Sequence, residues 1–259
     1  MFPHTIISAD RAYDRKVAIR KNFYALGIEP HFVSAIMGDE LSPDERVRLV
    51  DDKGLLKLGE VGCVLSHLKV CKDFLSTNAP YWTIFEDDIH LSNEFLDAYP
   101  RIESFMNSQI EPSVLLLRRN NGKGKVVYPL GRNHHVLHML AGTMACGYII
   151  NRKAAENLVK ALIPVRIEYD AWAIYQQLGY IKLYSTDFNY VELNPTMSSN
   201  SIIDQMEKRY DDSCQFPKKI KDGNVKALYN QNSPSQKIIL QLKRVVRHLQ
   251  ELYYDEYRH

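Results

Sequence analysis

The sequence is short of cysteine, of tryptophan, of net charge and of long apolar runs. Only four of its 259 residues are cysteine and two are tryptophan. No pair among Cys63, Cys71, Cys146 and Cys214 has zinc-ligand spacing, so no structural zinc is expected. Cys63 and Cys71 fall in one expected helix, which would hold their Cα atoms about 12 Å apart, outside disulfide reach. All four read as reduced packing residues. The longest uncharged apolar stretch, residues 139–150, is broken by two glycines. It is shorter than the ~20 residues that span a bilayer, so it is expected as buried core. The first sixteen residues lack a basic segment followed by an apolar one, so no secretory signal is read and a cytoplasmic location is expected. Net charge is only +2, and no nucleic-acid partner is expected.

What is present is ordinary for a globular protein: 45% apolar and 25% charged residues, in a length that suits one large α/β domain with a smaller appendage. The charge is unevenly placed. Residues 217–259 hold nine Lys/Arg against four Asp/Glu, a surplus of +5, which leaves residues 1–216 at −3. A basic tail on a mildly acidic body suits an anionic surface, and equally a solvated helix face.

Apolar periodicity predicts strands at residues 4–9, 30–36, 81–85, 114–117, 132–140 and 181–184. It predicts helices at 10–26, 60–75, 93–106, 151–162, 169–178 and 236–254. Gly27 stops the first helix. Ser42, Pro43, Asp44 and Glu45 have the order of a helix start. Residues 120–125 and 194–200 read as loop or turn, and residues 222–235, rich in Asn, Gly, Ser and Gln, as a linker. The strand–helix–strand opening is that of a parallel α/β sheet. Domains are expected at 1–216 and 217–259.

Two features bear on chemistry. Glu86, Asp87 and Asp88 end an aromatic, β-branched strand. Strand alternation would point Glu86 and Asp88 to one side. Two oxygen ligands so placed can share a hard cation, at the strand end where open α/β sheets bind ligands. A surface turn could carry the same acids. The second feature spans residues 59–67, where Glu60, Cys63 and His67 share one helix face, Ser66 lies beside them, and Gly59 and Gly62 allow another group close to the backbone. Free amides there would favour a diphosphate; a first-turn acid and a core histidine would look the same.

Together, GEVGCVLSHLKV and IFEDDI resemble glycosyltransferase family 25, which contains bacterial lipooligosaccharide galactosyltransferases. IISADRAYDRKVAIRKNFYALGI and AGTMACGYIINRKAAENLV are similar to further segments of that family, and the resemblance covers roughly residues 4–205. One departure is IISADR, in place of an Ile-Asn-Leu-x-Arg run. The resemblance implies a GT-A type, Rossmann-like mixed sheet flanked by helices, with a C-terminal helical extension. It implies an inverting transferase that uses UDP-galactose, a manganese or magnesium ion on Glu86 and Asp88, and a lipooligosaccharide acceptor. Asp170 is expected as the base, with Glu168 second. Donor contacts are expected from Ser8, Asp10, Arg11 and Arg15 after the first strand, from Glu60, Gly62, Ser66 and His67, from Asp87, and from Thr143 and Tyr148. A glycan-binding module without turnover and a metal-dependent phosphohydrolase are the rival readings.

In the last helix Ile238, Leu242, Val245, Leu249 and Leu252 recur at spacings of four and three, with Lys237, Lys243, Arg244 and Arg247 available to flank them. Such a seam could dock on the body, pair with a second copy as a homodimer, or lie on the inner membrane.

Overall fold

The computed structural model describes residues 2–194, 197 and 217–257. Cys214 and most of the expected 194–200 loop lie outside them. The chain opens with β1 (His4–Ser8), α1 (Tyr13–Ala25) and β2 (Phe32–Ser34), then α2 (Pro43–Leu49) and α3 (Leu58–Leu75). β3 (Tyr81–Glu86) and β4 (Ile89–Leu91) precede α4 (Glu94–Asn107). β5 (Ser113–Leu116), β6 (Gly122–Gly131), β7 (His134–Met139) and β8 (Gly147–Asn151) follow, then α5 (Arg152–Ala161), α6 (Trp172–Gln177), β9 (Lys182–Thr186) and β10 (Val191–Leu193). The described chain closes with α7 (Pro217–Asn230), α8 (Pro234–Tyr253) and β11 (Asp255–Tyr257).

Nine strands form one mixed sheet in the order β11-β6-β7-β9-β5-β8-β3-β1-β2, and β10 pairs with β4 in a small second sheet. β1 runs parallel to β2 and β3, while β8 is antiparallel to both β3 and β5. Side-chain alternation divides the core into two layers, as a half-buried strand could not. On β3, Ile84 joins α3, α5 and α6 on one face, while Tyr81 and Phe85 join α1 and α4 on the other. The α/β sandwich read from the sequence is the observed one.

Two local expectations are corrected. Residues 120–125 are not simply a turn, because β6 begins at Gly122 and pairs with β7 on one side and β11 on the other. Residues 222–235 are mostly helix. Asn224 is buried and donates to the carbonyls of Asp52 (2.8 Å) and Arg166 (2.9 Å), and Leu228 is fully buried. Tertiary contacts thus override a composition that favours loop. Only the short connection ending at Ser233 remains, and its hydroxyl caps α8.

α8 sits on the body by Leu240 and by the Glu251 carbonyl, which accepts from Lys123 Nζ. Gly179 lies in the left-handed region (φ +76°), and a Cβ there would meet Leu240 Cδ2 at 2.8 Å. The turn's positive φ is what requires glycine there. The apolar seam does not dock on the described body: Leu242 and Leu252 are 63% and 69% exposed. No described helix is long and apolar enough to cross a membrane.

Candidate active site

At the carboxyl ends of β1 and β3 lies a pocket lined by Ile7 and Ala9 from β1 and its end, by Arg15, by residues 35–37 after β2, by Gly59, Cys63, Ser66 and His67 of α3, and by Glu86, Asp87 and Asp88. The glycine-bearing start of α3 is what lets this wall close. A Cβ on Gly62 would meet Ile36 O at 2.4 Å and Gly38 N at 2.8 Å. Ser66 Oγ donates to Gly62 O and accepts from Ile36 N, each at 2.7 Å. The group that comes close to the helix backbone at Gly62 is therefore the chain's own 36–38 loop, and Ser66 staples it there. Glu60 caps the helix start by accepting from Lys57 N at 2.7 Å.

His67 is buried and held on three sides. Its ring stacks on Tyr169 with centroids 4.3 Å apart. Its Nδ1 lies 2.9 Å from the Tyr148 hydroxyl, which itself donates to Tyr169 at 2.9 Å. Its Nε2 faces Glu86 Oε1 at 3.3 Å. The expected helix-face histidine thus orients the first acid of the triplet, and Tyr148, fully buried behind it, is a prop for the ring and not part of the pocket lining.

The strand ends at Glu86, so alternation stops there and Asp87 and Asp88 lie in a turn. Both face Arg15, whose Nη1 is 2.8 Å from Asp87 Oδ1 and 3.6 Å from Asp88 Oδ2. Arg15 Nη2 donates to Met197 O at 2.9 Å. Asp87, expected on the opposite side, instead shares a guanidinium with its neighbour. Burial, and then the negative charge of Glu86, push Asp88 up to about 6 despite the opposing pull of Arg15. Asp88 Oδ1 is buried and has no hydrogen-bond partner. Buried polar atoms are rarely left so.

Farther along the same acidic cluster, Asp170 is half-buried at the start of α6. Its Oδ2 accepts from Met144 N at 3.0 Å, and Trp172 Nε1 donates to Met144 O at 3.0 Å. Met144 is thereby fixed with φ +68°, an unusual value for a side-chain-bearing residue. Burial raises the Asp170 carboxyl, with Glu168 and Glu86 adding repulsion. Glu60 is raised by burial, with Glu168 and Asp170 among its neighbours. Glu168 is ion-paired with Lys221 of α7. That partner stands 53 positions away in the sequence and had no local signal.

Other expected donor contacts are dispersed. Ser8 is buried with its hydroxyl on Ala9 O, Asp10 is exposed and accepts from Ser34 Oγ at 2.7 Å, and Arg11 is exposed. Thr143 is exposed, its N–H donating to Asn120 Oδ1 at 2.8 Å. None of these four lines the pocket. A lining residue that the sequence reading placed on the right helix face but gave no role is Cys63. Its thiol, His67 and Glu86 offer ligand atoms within 4.8 Å of one another, a softer set than the Glu86–Asp88 oxygens.

A mixed α/β sheet with an acid-tipped pocket at the carboxyl ends of its parallel strands defines an α/β protein of the Rossmann-like kind. Residues 1–173 match the profile of glycosyltransferase family 25 (LPS biosynthesis protein). The chain is 25% identical over 233 residues to a predicted glycosyltransferase of Haemophilus influenzae, covering 85% of this chain and 77% of the relative. It is 25% identical over 167 residues to the lipooligosaccharide biosynthesis protein lic2B of Haemophilus influenzae (59% of this chain, 60% of that protein). It is 28% identical over 161 residues to the lacto-N-neotetraose biosynthesis glycosyltransferase LgtB of Neisseria meningitidis serogroup B, with 58% of each chain covered. The chain belongs to glycosyltransferase family 25.

Proposed function

We propose that this chain is an inverting hexosyltransferase that moves galactose from UDP-galactose to a sugar hydroxyl of a lipooligosaccharide, with a divalent cation held by Glu86 and Asp88. The observation that carries the reading is Asp88 Oδ1, buried, without a partner and beside Glu86 at the pocket. Two close carboxylates of which one has an unsatisfied oxygen are a poor arrangement for a bare protein and a good one for manganese or magnesium. When bound, the cation would neutralise charge that develops on the departing diphosphate. Arg15 fixes Asp87 and Asp88 from one side and His67 fixes Glu86 from the other, so the acidic tip is positioned before ligand arrives.

Asp170 is the base in this reading. With Oδ2 held by the Met144 N–H, its other oxygen takes the proton of the acceptor hydroxyl. The hydroxyl oxygen bonds to the anomeric carbon as the bond to the diphosphate breaks. A carboxyl raised by burial is a stronger proton acceptor than an exposed aspartate. Glu168 is second because Lys221 already engages it.

Nucleotide release from UDP-galactose, followed with and without manganese on the wild type and on Asp88→Ala, tests the cation site. Turnover that survives both chelation and the substitution overturns it. Asp170→Asn is expected to keep donor binding and to lose transfer by 10²-fold or more, roughly the scale of general-base catalysis. Donor binding with no turnover in the wild type would favour the glycan-binding module instead.

A further inference from the structure

Helix α8 turns its apolar side away from the protein. Ile238, Leu242, Val245, Leu249 and Leu252 are each between 51% and 69% exposed. Ile239, Val246 and Tyr253 are at least half exposed and broaden the same strip. At 100° per residue these side chains fill an arc of about 140°, the width of an amphipathic helix face. The opposite side is the one in use: Leu240 is packed near Gly179, and the Glu251 carbonyl accepts from Lys123 Nζ. The helix is therefore already seated, and its outward strip is not the face by which it is held.

The charge on α8 selects the occupant. It carries Lys237, Lys243, Arg244 and Arg247 against one acid, Glu251, and that acid lies within 3.5 Å of Arg247 Nε and 3.6 Å of His248 Nδ1. Lys243 and Arg244 are exposed. The preceding helix α7 adds the exposed Lys218 and Lys226, against Asp222, and the acids Asp255 and Glu256 come only after α8, in β11. A second copy docked on this strip would bring two basic helices together with no acid between 234 and 250 to offset them. A bilayer surface of anionic lipid takes the apolar strip into its acyl boundary, while the exposed Lys243 and Arg244, placed on the helix away from the centre of the strip, reach the headgroups by their long side chains.

We infer that α8 is a membrane-surface helix that holds the protein on an anionic lipid bilayer. It does not cross the bilayer, since no described helix is long and apolar enough to do so. The inference stands whether or not the pocket transfers sugar.

Flotation of the full chain with vesicles of phosphatidylglycerol and phosphatidylcholine, beside vesicles of phosphatidylcholine alone, tests it without donor or acceptor. Binding is expected to the anionic vesicles and to fall steeply with salt. Leu242→Asp with Leu249→Asp, and separately Lys243→Glu with Arg244→Glu, are each expected to weaken it at least about tenfold. All four positions are exposed, so thermal unfolding of both variants should match the wild type. Equal binding to neutral vesicles, binding indifferent to the variants, or no binding to either vesicle overturns the inference. So does a dimer in solution that Leu242→Asp with Leu249→Asp splits, which would assign the strip to a second copy.

Discussion

Gly62 and Arg15 show how much of the pocket depends on single side chains. Alanine at 62 would put a carbon 2.4 Å from Ile36 O and 2.8 Å from Gly38 N, both backbone atoms of the facing loop. Neither can swing away, so Gly62→Ala is expected to cost about 1–3 kcal/mol, as overpacking does, in urea unfolding. Arg15→Met would strand Asp87, whose side chain is 7% exposed. Loss of one partner from such a buried pair costs about 3 kcal/mol, and Arg15→Met with Asp87→Asn should recover much of it in a double-mutant cycle. The acid triplet could be read from the sequence because an apolar strand that ends in three carboxylates has few purely structural explanations. Its geometry could not. Alternation applies only while the strand lasts, and β3 stops at Glu86, which sends Asp87 toward Arg15 and not away from Asp88. Arg15 was legible as a cation after the first strand, but its partners Asp87 and Met197 are 72 and 182 residues away from it.

Elements were legible where local chemistry and burial agreed. Ser42 and Glu45 form the reciprocal cap expected of the order Ser-Pro-Asp-Glu, with Ser42 Oγ accepting from Glu45 N. The long helix α3 follows its apolar face closely, because that face packs on β1, β3 and α5. α7 was not legible. Its Asn and Gly content favours loop, and what stabilises the helix is a buried amide that reaches two carbonyls distant in sequence. Asn224→Ala leaves both carbonyls without this donor and is expected to cost about 2 kcal/mol, measurable by chemical denaturation. The same substitution should loosen α7 and with it the Lys221–Glu168 pair, so amide exchange along residues 217–230 should rise ahead of global unfolding.

Across the whole molecule, acid sensitivity is expected from His138. It is buried between Tyr184 and Tyr254, with Nδ1 2.7 Å from the Tyr254 hydroxyl and with Lys182 and Glu111 nearby. Burial, and then the positive charge of Lys182, lower it from 6.5 to about 4. A histidine kept neutral in the fold binds its proton more readily when unfolded. Its contribution is therefore intact above pH 6.5 and is lost as the pH falls toward 4, by about 3 kcal/mol at the lower end. Thermal unfolding between pH 7 and pH 4 should show the fall, and His138→Gln should flatten it.

The last described strand has a consequence for the outer margin of the main sheet. β6 is ten residues long, and β11 covers only its glycine-bearing start, Gly122 to Gly124. Beyond that start, Lys125 and Pro129 supply the charge and the missing amide hydrogen that discourage pairing with a stranger. The covered stretch holds Lys123 but two glycines, and β11 is its shield. A chain shortened to end before Asp255 should accordingly keep its pocket yet gain a tendency to stick to itself, strand against strand, in proportion to concentration.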